Sequence, residues 1–367
     1  MEPLVFHPSQ PFTLGVELEF QLLDPVTLDL IPRGPDLLSK VEPELRNQVK
    51  PEFIQSMVEV CTTVCQDMTE VAENLDLLCH YLETLGQDAG CLPYATSLHP
   101  FARLKKRHVS PAQRYHEIMD ELQIVGRRMI TQALHVHIGL EDKESLIRLC
   151  DSIRTFLPVL LALSTSSPYW QEEDTGMHSY RTCLFQNLPR SGIPAVLGSW
   201  ENFEELIVVL NQATLLSGIR ELWWDVRPHP DFGTIEIRLC DLPCRFDEIL
   251  AIVALVQALC ATLIKREPQP FPPQDIIIHN KWHAARYGLS GTFINSRPGR
   301  HSSFATAVEE LLELVRDEAK NLGGYGYLGP IKRILQQGAS SRRQRKLYEK
   351  YGSFPAMIEK IQQDFWK

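Results

Sequence analysis

The chain has 367 residues, 44% of them hydrophobic, and a formal net charge of −9, which is the composition of a globular protein with a large core. The acidic balance argues against nucleic acid as the main partner, and the basic run Arg103–His108 is interpreted as a solvated loop. No uncharged apolar run of 18 residues occurs, so we expect no membrane-spanning segment. Nine scattered cysteines and the lack of export-signal features predict a reduced, cytoplasmic protein.

Six segments have the residue pattern of β-strands: about 13–22, 54–62, 91–98, 131–140, 222–228 and 234–240. Between them, an apolar stripe from Val71 to Leu85 predicts a helix that ends at Gly86 or Gly90. Ser110 followed by Pro111 predicts the N-cap of another helix. The segments 144–164 and 246–266 are apolar nearly all round and predict buried helices. The later one is interpreted as too short and too charged for a membrane span.

Three further features describe the organisation of the chain. The stretch from Ser166 to Ser199 has little periodicity and predicts a long functional loop. The connector His229–Gly233 predicts a turn, which makes the flanking strands an antiparallel hairpin. Without a clear linker or repeat, we expect one domain over residues 1–367, with a helical C-terminal part from about 300 to 367.

Acidic residues interrupt several of the predicted strands. Side chains alternate between two faces of a strand, so Glu17 and Glu19 share one face of the first strand, opposite Leu14, Val16 and Leu18. Two carboxylates this close repel each other unless positive charge lies between them. A divalent cation is the simplest source of that charge. Exposure to water is the alternative, and for these two residues alone it is the better explanation.

The same polar pattern recurs on other strands. His135 and His137 share a face, and so do Glu236 and Arg238 in the predicted hairpin. Each pair alone also fits a structural histidine or a solvated ion pair. Glu59 interrupts another strand. Glu52 lies seven positions earlier and falls on the opposite face of a regular strand, so it joins the same site only if a bulge or the strand entry reorients it.

If these faces line one concave sheet, its interior holds several carboxylates with few histidines and no thiolates. Such an oxygen-rich set favours Mg²⁺ or Mn²⁺ over zinc. Several carboxylates around such ions are suited to binding a polyphosphate, and arginines on the same face, Arg227 and Arg238, add contacts to phosphate. No glycine-rich phosphate-binding loop occurs in the sequence, so recognition of phosphate would depend on metal and arginine.

Several short strings resemble the glutamate–cysteine ligase 2 family of bacterial carboxylate–amine ligases. Each is weak alone, but six in the same order are specific, and the match extends from about residue 10 to 290. The strings are Gly15–Phe20, His135–Gly139, Ser167–Trp170, Ser179–Arg181, Trp224–Pro228 and Gly233–Arg238, with Asn280–Gly288 also fitting.

The resemblance implies an α+β fold, with a curved, mainly antiparallel six-stranded sheet flanked by helices, as in the glutamine synthetase and glutamate–cysteine ligase catalytic fold. It also implies ATP and Mg²⁺ (or Mn²⁺) as cofactors. By this analogy Arg181 and Arg238 face the phosphates or the acyl phosphate, and Tyr169 and Arg227 are further candidates for nucleotide binding. The implied metal ligands are Glu17, Glu19, Glu52, Glu59, His137 and Glu236.

The implied reaction joins a glutamate-like γ-carboxylate to an amine, either cysteine or another amino compound, through an acyl phosphate. The long loop would order over these small-molecule substrates and exclude water. Two alternatives are a metal-dependent hydrolase and a catalytically silent protein that binds Mg-ATP. A homodimer is compatible with this chain length, but no sequence feature predicts it, and the sequence leaves the amine open.

Overall fold

The chain folds around one antiparallel sheet of seven strands, and the computed structural model describes residues 4–103, 108–267, 270–295 and 301–367. The strands are β1 (Leu14–Leu23), β2 (Val49–Pro51), β3 (Met57–Cys61), β4 (Leu92–Tyr94), β5 (Leu134–Gly139), β6 (Val226–His229) and β7 (Thr234–Ile237). Their spatial order is β6-β7-β5-β1-β3-β2, and β4 pairs with the last residues of β1. The α+β class and the antiparallel sheet are therefore confirmed, with β2 as one strand more than predicted.

Fourteen α-helices accompany the sheet in the described ranges. They are α1 (Gly34–Ser39), α2 (Met68–Ala89), α3 (Gln113–Leu122), α4 (Ile124–Arg127), α5 (Lys143–Ile153), α6 (Leu157–Ser164), α7 (Tyr180–Phe185), α8 (Trp200–Gln212), α9 (Phe246–Lys265), α10 (Gln274–Tyr287), α11 (Phe304–Asn321), α12 (Gly329–Gln337), α13 (Ser340–Tyr351) and α14 (Phe354–Asp364). Short ladders join Tyr169–Trp170 to Glu173–Asp174, Ser191–Gly192 to Trp223–Trp224, and Thr292–Ile294 to His301–Ser303.

One face of the sheet is apolar and supports the core. Leu14, Val16 and Leu18 on this face are at most 1% exposed, and the same core cluster continues to Phe365. Helix α2 contacts β1, and helix α9 contacts β5. By length and composition α9 is able to cross a membrane, contrary to the expectation that it is too short, but 83% of its apolar stretch is buried inside the protein. Burial of this kind is typical of a core helix.

The opposite face carries the polar residues singled out in the sequence. In the strand register Glu17 faces His135, Glu19 faces Glu59, and Glu236 faces His137 on the neighbouring strand. Directly opposed residues of an antiparallel pair lie about 4.5–5.5 Å apart. The register therefore places carboxylates and imidazoles from four strands side by side.

Several local predictions are confirmed. Helix α2 ends at Gly90, which has the left-handed conformation (φ 68°) and binds the last helical carbonyls. The predicted hairpin is formed by β6 and β7, and the C-terminal part is helical from α11 to α14. The apolar segment 144–164 is divided into α5 and α6, with a proline at the start of the second helix.

Other predictions are wrong or incomplete. Ser110 does not cap α3, which begins at Gln113 without a side-chain cap; its hydroxyl instead donates a hydrogen bond to the backbone carbonyl of Glu52. The segment 166–199 contains α7 and short ladders rather than one continuous loop. Part of the basic run, residues 104–107, lies outside the described residues.

Gly233 closes the hairpin that carries Glu236. It has φ 58°, a conformation that L-residues rarely adopt, and a Cβ here would collide with the backbone carbonyl of His7. The N-terminal segment packs against this turn, and the amide of His7 donates to the carbonyl of Pro230 at 3.0 Å. Both the left-handed backbone conformation and the lack of room for a Cβ therefore require glycine at position 233.

We expect Gly233→Ala to lower the free energy of unfolding by about 1–3 kcal/mol, because the methyl group is strained in this backbone conformation and displaces the segment around His7. Chemical denaturation monitored by circular dichroism measures this loss. Gly218→Ala is the matched control, since Gly218 is extended and a methyl group there would meet open space. Equal stability of the two variants would contradict this account of the turn.

Candidate active site

The polar face of the sheet forms the wall of a cavity of about 340 Å³. Residues from six strands, and the residue after β2, line it. Those that bear charge or titrate are Glu17, Glu19, Lys50, Glu52, Glu59, Arg114, Tyr115, His135, His137, Arg220, Arg227, His229, Glu236 and Arg238.

Glu17 lies between the two histidines of β5. His135 Nδ1 is 3.0 Å from Glu17 Oε2, and His137 Nε2 is 3.6 Å from Glu17 Oε1. Burial opposes ionisation of Glu17, but its interactions with the two histidines outweigh it and hold the pKa of this carboxyl well below its usual range. Burial and the positive charge of Arg238 lower the pKa of His135 to about 4, so this imidazole is neutral at pH 7 and available as a ligand or acceptor.

Glu19, Glu52 and Glu59 form a second group, in which one carboxylate oxygen from each lies within 4.8 Å of the others. Burial raises the pKa of Glu19 to about 8, and the charge of Glu59 adds to the shift. Burial and the charge of Glu19 likewise raise the pKa of Glu52 to about 8. The pKa of Glu59 is raised well above its usual value by burial and by its carboxylate neighbours. Without cations, this group therefore holds protons at neutral pH.

The hairpin formed by β2 and β3 explains how Glu52 reaches this group. Lys50 pairs with Glu59 across the hairpin, so the two residues share a face. Glu52 follows Lys50 by two positions and, by the alternation of an extended chain, points to the same face. The prediction of the opposite face assumed one continuous strand through residues 52–59. The chain reverses instead, and that reversal brings the two glutamates together.

Glu236 occupies the other end of the group and is only 1% exposed. Arg227 Nε and Nη2 each lie 2.7 Å from Glu236 Oε2, and Arg238 Nη1 binds Oε1. Burial opposes ionisation of Glu236, but Arg238 and Arg227 outweigh it and hold its pKa well below the usual range. His137 Nε2 lies 3.8 Å from Oε1. The carboxylate at this end is therefore neutralised by protein cations.

The two arginines of this pair differ in their freedom to contact a ligand. The remaining terminal nitrogen of Arg227 donates to the backbone carbonyls of Arg220 and Leu222, both at 3.1 Å, so all of its nitrogens are engaged by the protein. Arg238 lines the cavity with its side chain 16% exposed. Of the two, Arg238 is the one placed to meet a substrate anion.

Two predicted site residues do not line the cavity. Arg181 is buried, and its guanidinium donates to the backbone carbonyls of Leu239 at 3.0 Å and Arg238 at 3.1 Å. It thus supports the segment that carries Arg238 rather than facing the cavity. The ring of Tyr169 packs against Tyr348 and Phe354 in an apolar cluster. The structure does not bring Tyr169 to this site.

Sequence reasoning missed several residues that line or support the cavity. His135 carried a signal, its alternation with His137, but was not selected as a ligand. Lys50 gave no signal; its Nζ lies 3.1 Å from Cys61 Sγ and 3.8 Å from Glu59. Tyr115 Oη donates to the carbonyl of Pro51 at 3.1 Å, just before Glu52. This contact depends on tertiary packing and leaves no trace in a local pattern.

Three overlapping sets of side chains have donor atoms close enough to hold a metal ion: Glu17, Glu59 and His135; Glu17, His137 and Glu236; and Glu19, Glu52 and Glu59. Carboxylate oxygens dominate all three sets, which is the chemistry preferred by Mg²⁺ and Mn²⁺. The carboxyls with raised pKa values in the third set are those that gain most from a bound cation. The residues present therefore fit divalent metal.

Comparison with known proteins decides the family. A family model described as "Glutamate-cysteine ligase family 2" matches residues 13–360. The chain belongs to this family. Its members named "Putative glutamate--cysteine ligase 2" include proteins from Herpetosiphon aurantiacus, 38% identical over 97% of this chain and 93% of the relative, and from Gloeobacter violaceus, 37% identical over 97% and 98%.

Solved structures of ligases share the fold. The glutamate–cysteine ligase of Francisella tularensis, solved in complex with AMP, superposes with a TM-score of 0.74 at 14% identity and covers 98% of this chain and 89% of its own. The bifunctional glutathione synthetase of Pasteurella multocida gives a TM-score of 0.72 at 14% identity, over 97% and 52%. Membership of glutamate–cysteine ligase family 2 makes the chain an ATP-dependent carboxylate–amine ligase, and neither alternative, hydrolase or silent binder, is favoured.

The raised pKa values of the Glu19 group predict how the metal-free ligase responds to pH. A carboxyl with a pKa of about 8 when folded and about 4.5 when unfolded binds its proton more tightly in the folded state. Its contribution to stability is complete below the unfolded pKa and is lost as the pH rises through 8. We expect the free energy of unfolding to fall by about 2–3 kcal/mol per group between roughly pH 6 and pH 9.

Urea denaturation across this pH range, with chelator present, measures the effect. Glu19→Gln mimics the protonated carboxyl and should reduce the slope, whereas Glu44→Gln, at an exposed position away from the cavity, should leave it unchanged. A pH-independent stability, or an equal change in both variants, would contradict the proposed burial of protons in this group.

Proposed function

We propose that this ligase activates the γ-carboxylate of glutamate, or of a close analogue, with ATP and joins it to the nitrogen of an amine. The observation that supports this assignment is the convergence of three overlapping ligand sets in one cavity of a glutamate–cysteine ligase family member. Carboxylates held this close suit metal-bound polyphosphate better than any neutral substrate.

We assign metal binding to Glu17, Glu19, Glu52, Glu59, His137 and Glu236, with His135 as an addition. Mg²⁺ or Mn²⁺ held by these residues would neutralise the phosphate oxygens. The chain orients these ligands through its strand register, and Thr234 Oγ1, 3.0 Å from His137 Nδ1, fixes the imidazole of His137. Protons held by the Glu19 group leave when metal binds, because a ligating carboxylate must be ionised.

The arginines take distinct roles in this proposal. Arg238 stabilises negative charge on the transferring phosphoryl group, because it lines the cavity and Glu236 fixes its orientation. Arg227 and Arg181 are positioning residues: the first holds Glu236, and the second holds the backbone that follows β7. Tyr169 has no role in nucleotide binding in this assignment.

The reaction proceeds in two balanced steps. An oxygen of the γ-carboxylate forms a bond to the terminal phosphorus of ATP, and the bond from that phosphorus to ADP breaks. The amine nitrogen then bonds to the carbonyl carbon, the carbon–oxygen bond to phosphate breaks, and the nitrogen loses a proton to solvent. The site residues hold the reacting groups together and exclude water, which would otherwise hydrolyse the acyl phosphate.

We also place the enzyme in the cytoplasm and treat residues 1–367 as one catalytic domain. All nine cysteines are free thiols, as in a reducing compartment. One core cluster includes residues from β1 through to the residue after α14, which supports a single folding unit.

Release of ADP should depend on both glutamate and an amine. A hydrolase would release ADP or phosphate without an amine, and a silent binder would release none.

We expect Glu236→Gln to reduce this turnover roughly 100-fold or more, because Arg238 loses the charge that orients it. Thermal melting verifies that the variant is folded; full turnover in a folded variant would contradict the assignment.

Because Glu52 is assigned as a metal ligand, its replacement should change the Mg²⁺ concentration that the enzyme requires. We expect Glu52→Gln to raise the Mg²⁺ concentration for half-maximal ADP release by roughly 10- to 100-fold, because one charged ligand is lost. A magnesium titration at saturating substrates measures this change. Glu117→Gln, at an exposed position on α3, is the matched control. An unchanged magnesium requirement in Glu52→Gln would remove this residue from the site.

A further inference from the structure

One wall of the cavity is apolar and is not needed to bind the charged reactants. Phosphates, metal and a glutamate donor are all ionic, whereas one side of the same cavity is formed by Ile118, Leu122, Met129, Phe185, Leu188 and Trp223. These side chains belong to one apolar cluster with Leu184, which does not line the cavity. Apolar side chains gathered on one side of an otherwise charged cavity are suited to an apolar part of a ligand.

The apolar wall lies at one end of the row of carboxylates. Along β1 this row starts beside Gly15, whose partner on the neighbouring strand is His137. It ends at Glu19, whose partner on the other neighbouring strand is Glu59. Beyond Glu19, the cavity is lined by Met57 and by Met129 and Thr131, the segment that leads into β5. The wall therefore adjoins the Glu19 end of the row.

The opposite end of the row opens into a different cavity, of about 410 Å³, which shares Glu17, Lys50, His137 and Phe232 with the first. Its lining is rich in hydroxyl groups, and the ring of Phe232 is 48% exposed there. Hydroxyl groups and an exposed aromatic ring are suited to a ribose and a base. A nucleoside bound at this end would leave the apolar wall to another reactant. The hydroxyl-bearing residues are Ser9, Thr13, Thr62, Thr63 and Thr234.

We propose that the amine substrate carries an aliphatic or aromatic group that covers the apolar wall. This inference rests on the proposed ligase reaction, in which the amine nitrogen bonds to the carbonyl carbon, phosphate leaves and one proton is lost to solvent. Covering the wall removes apolar surface from water, so binding favours a large apolar group over glycine or cysteine. Either an apolar amino acid or its decarboxylated amine supplies this chemistry.

A panel of acceptors tests the proposal with ATP, Mg²⁺ and glutamate in excess. The acceptors are glycine, cysteine, leucine, phenylalanine, isoamylamine and phenethylamine, with ADP release measured alongside mass detection of the γ-glutamyl product. We expect kcat/KM for the apolar acceptors to exceed that for glycine and cysteine by roughly tenfold or more. The ratio of leucine to isoamylamine identifies whether the source is an amino acid or a simple amine.

Variants of the wall provide the second part of the test. Leu188→Ala and Ile118→Ala should each raise KM for the apolar acceptor roughly tenfold and leave KM for ATP unchanged. Leu184→Ala is the matched control, since Leu184 belongs to the same cluster without lining the cavity; it should lower thermal stability without altering the order of acceptors. Ile118 lies on the surface helix α3 and is half-buried, so its variant keeps the test valid if Leu188→Ala does not fold.

Each contrary outcome has a distinct meaning. A change in KM for ATP in Leu188→Ala would place the base on this wall and overturn the inference. Preference for cysteine or glycine, with product formed, would overturn the inference but preserve the ligase reaction. Absence of ADP release with every acceptor would overturn the proposed function and the inference together.

Discussion

Repulsion among neighbouring, partly buried carboxylates is the constraint on which the rest of this structure depends. Glu19 faces Glu59 across adjacent strands, and Glu52 joins them from the end of β2. Removing such charges from water is costly unless protons or cations neutralise them. The sheet keeps these side chains together because its opposite face is a continuous apolar core, which holds the strand register whatever the charge state of the site.

The two ends of the carboxylate row meet this constraint in different ways. At Glu236, two arginines neutralise the charge and fix its geometry before any ligand binds. At Glu19, burial and neighbouring charge outweigh the attraction of Arg181 and Arg238, so the proton remains. The site therefore combines a carboxylate that arginines hold ionised and oriented at one end with carboxyls that hold exchangeable protons at the other.

The sequence pattern predicted which site residues share a face of one strand, but not which residues they pair with on neighbouring strands. Alternation placed Glu17 with Glu19 and Glu236 with Arg238, since the period of a strand is independent of the fold. The register that joins Glu236 to His137 is a long-range property. On a regular strand Glu52 falls opposite Glu59, and a local pattern does not reveal the chain reversal that brings the two together. Family resemblance alone did not reveal that Arg181 acts through the backbone carbonyls of Arg238 and Leu239.

The segments around the cavity are anchored to different extents, and this determines which of them is able to close over it. The first part of the predicted lid at 166–199 is held in place, because the buried carboxylate of Asp241 accepts hydrogen bonds from the amide of Ser166 and from the hydroxyls of Ser167 and Ser179. Helix α3 buries only Leu122. The hydroxyl of Tyr115 on this helix donates to the carbonyl of Pro51, and the hydroxyl of Ser110, just before the helix, donates to the carbonyl of Glu52. Any movement of α3 towards the cavity would therefore also shift the backbone around Glu52, so that closure of the cavity and the position of this carboxylate are coupled.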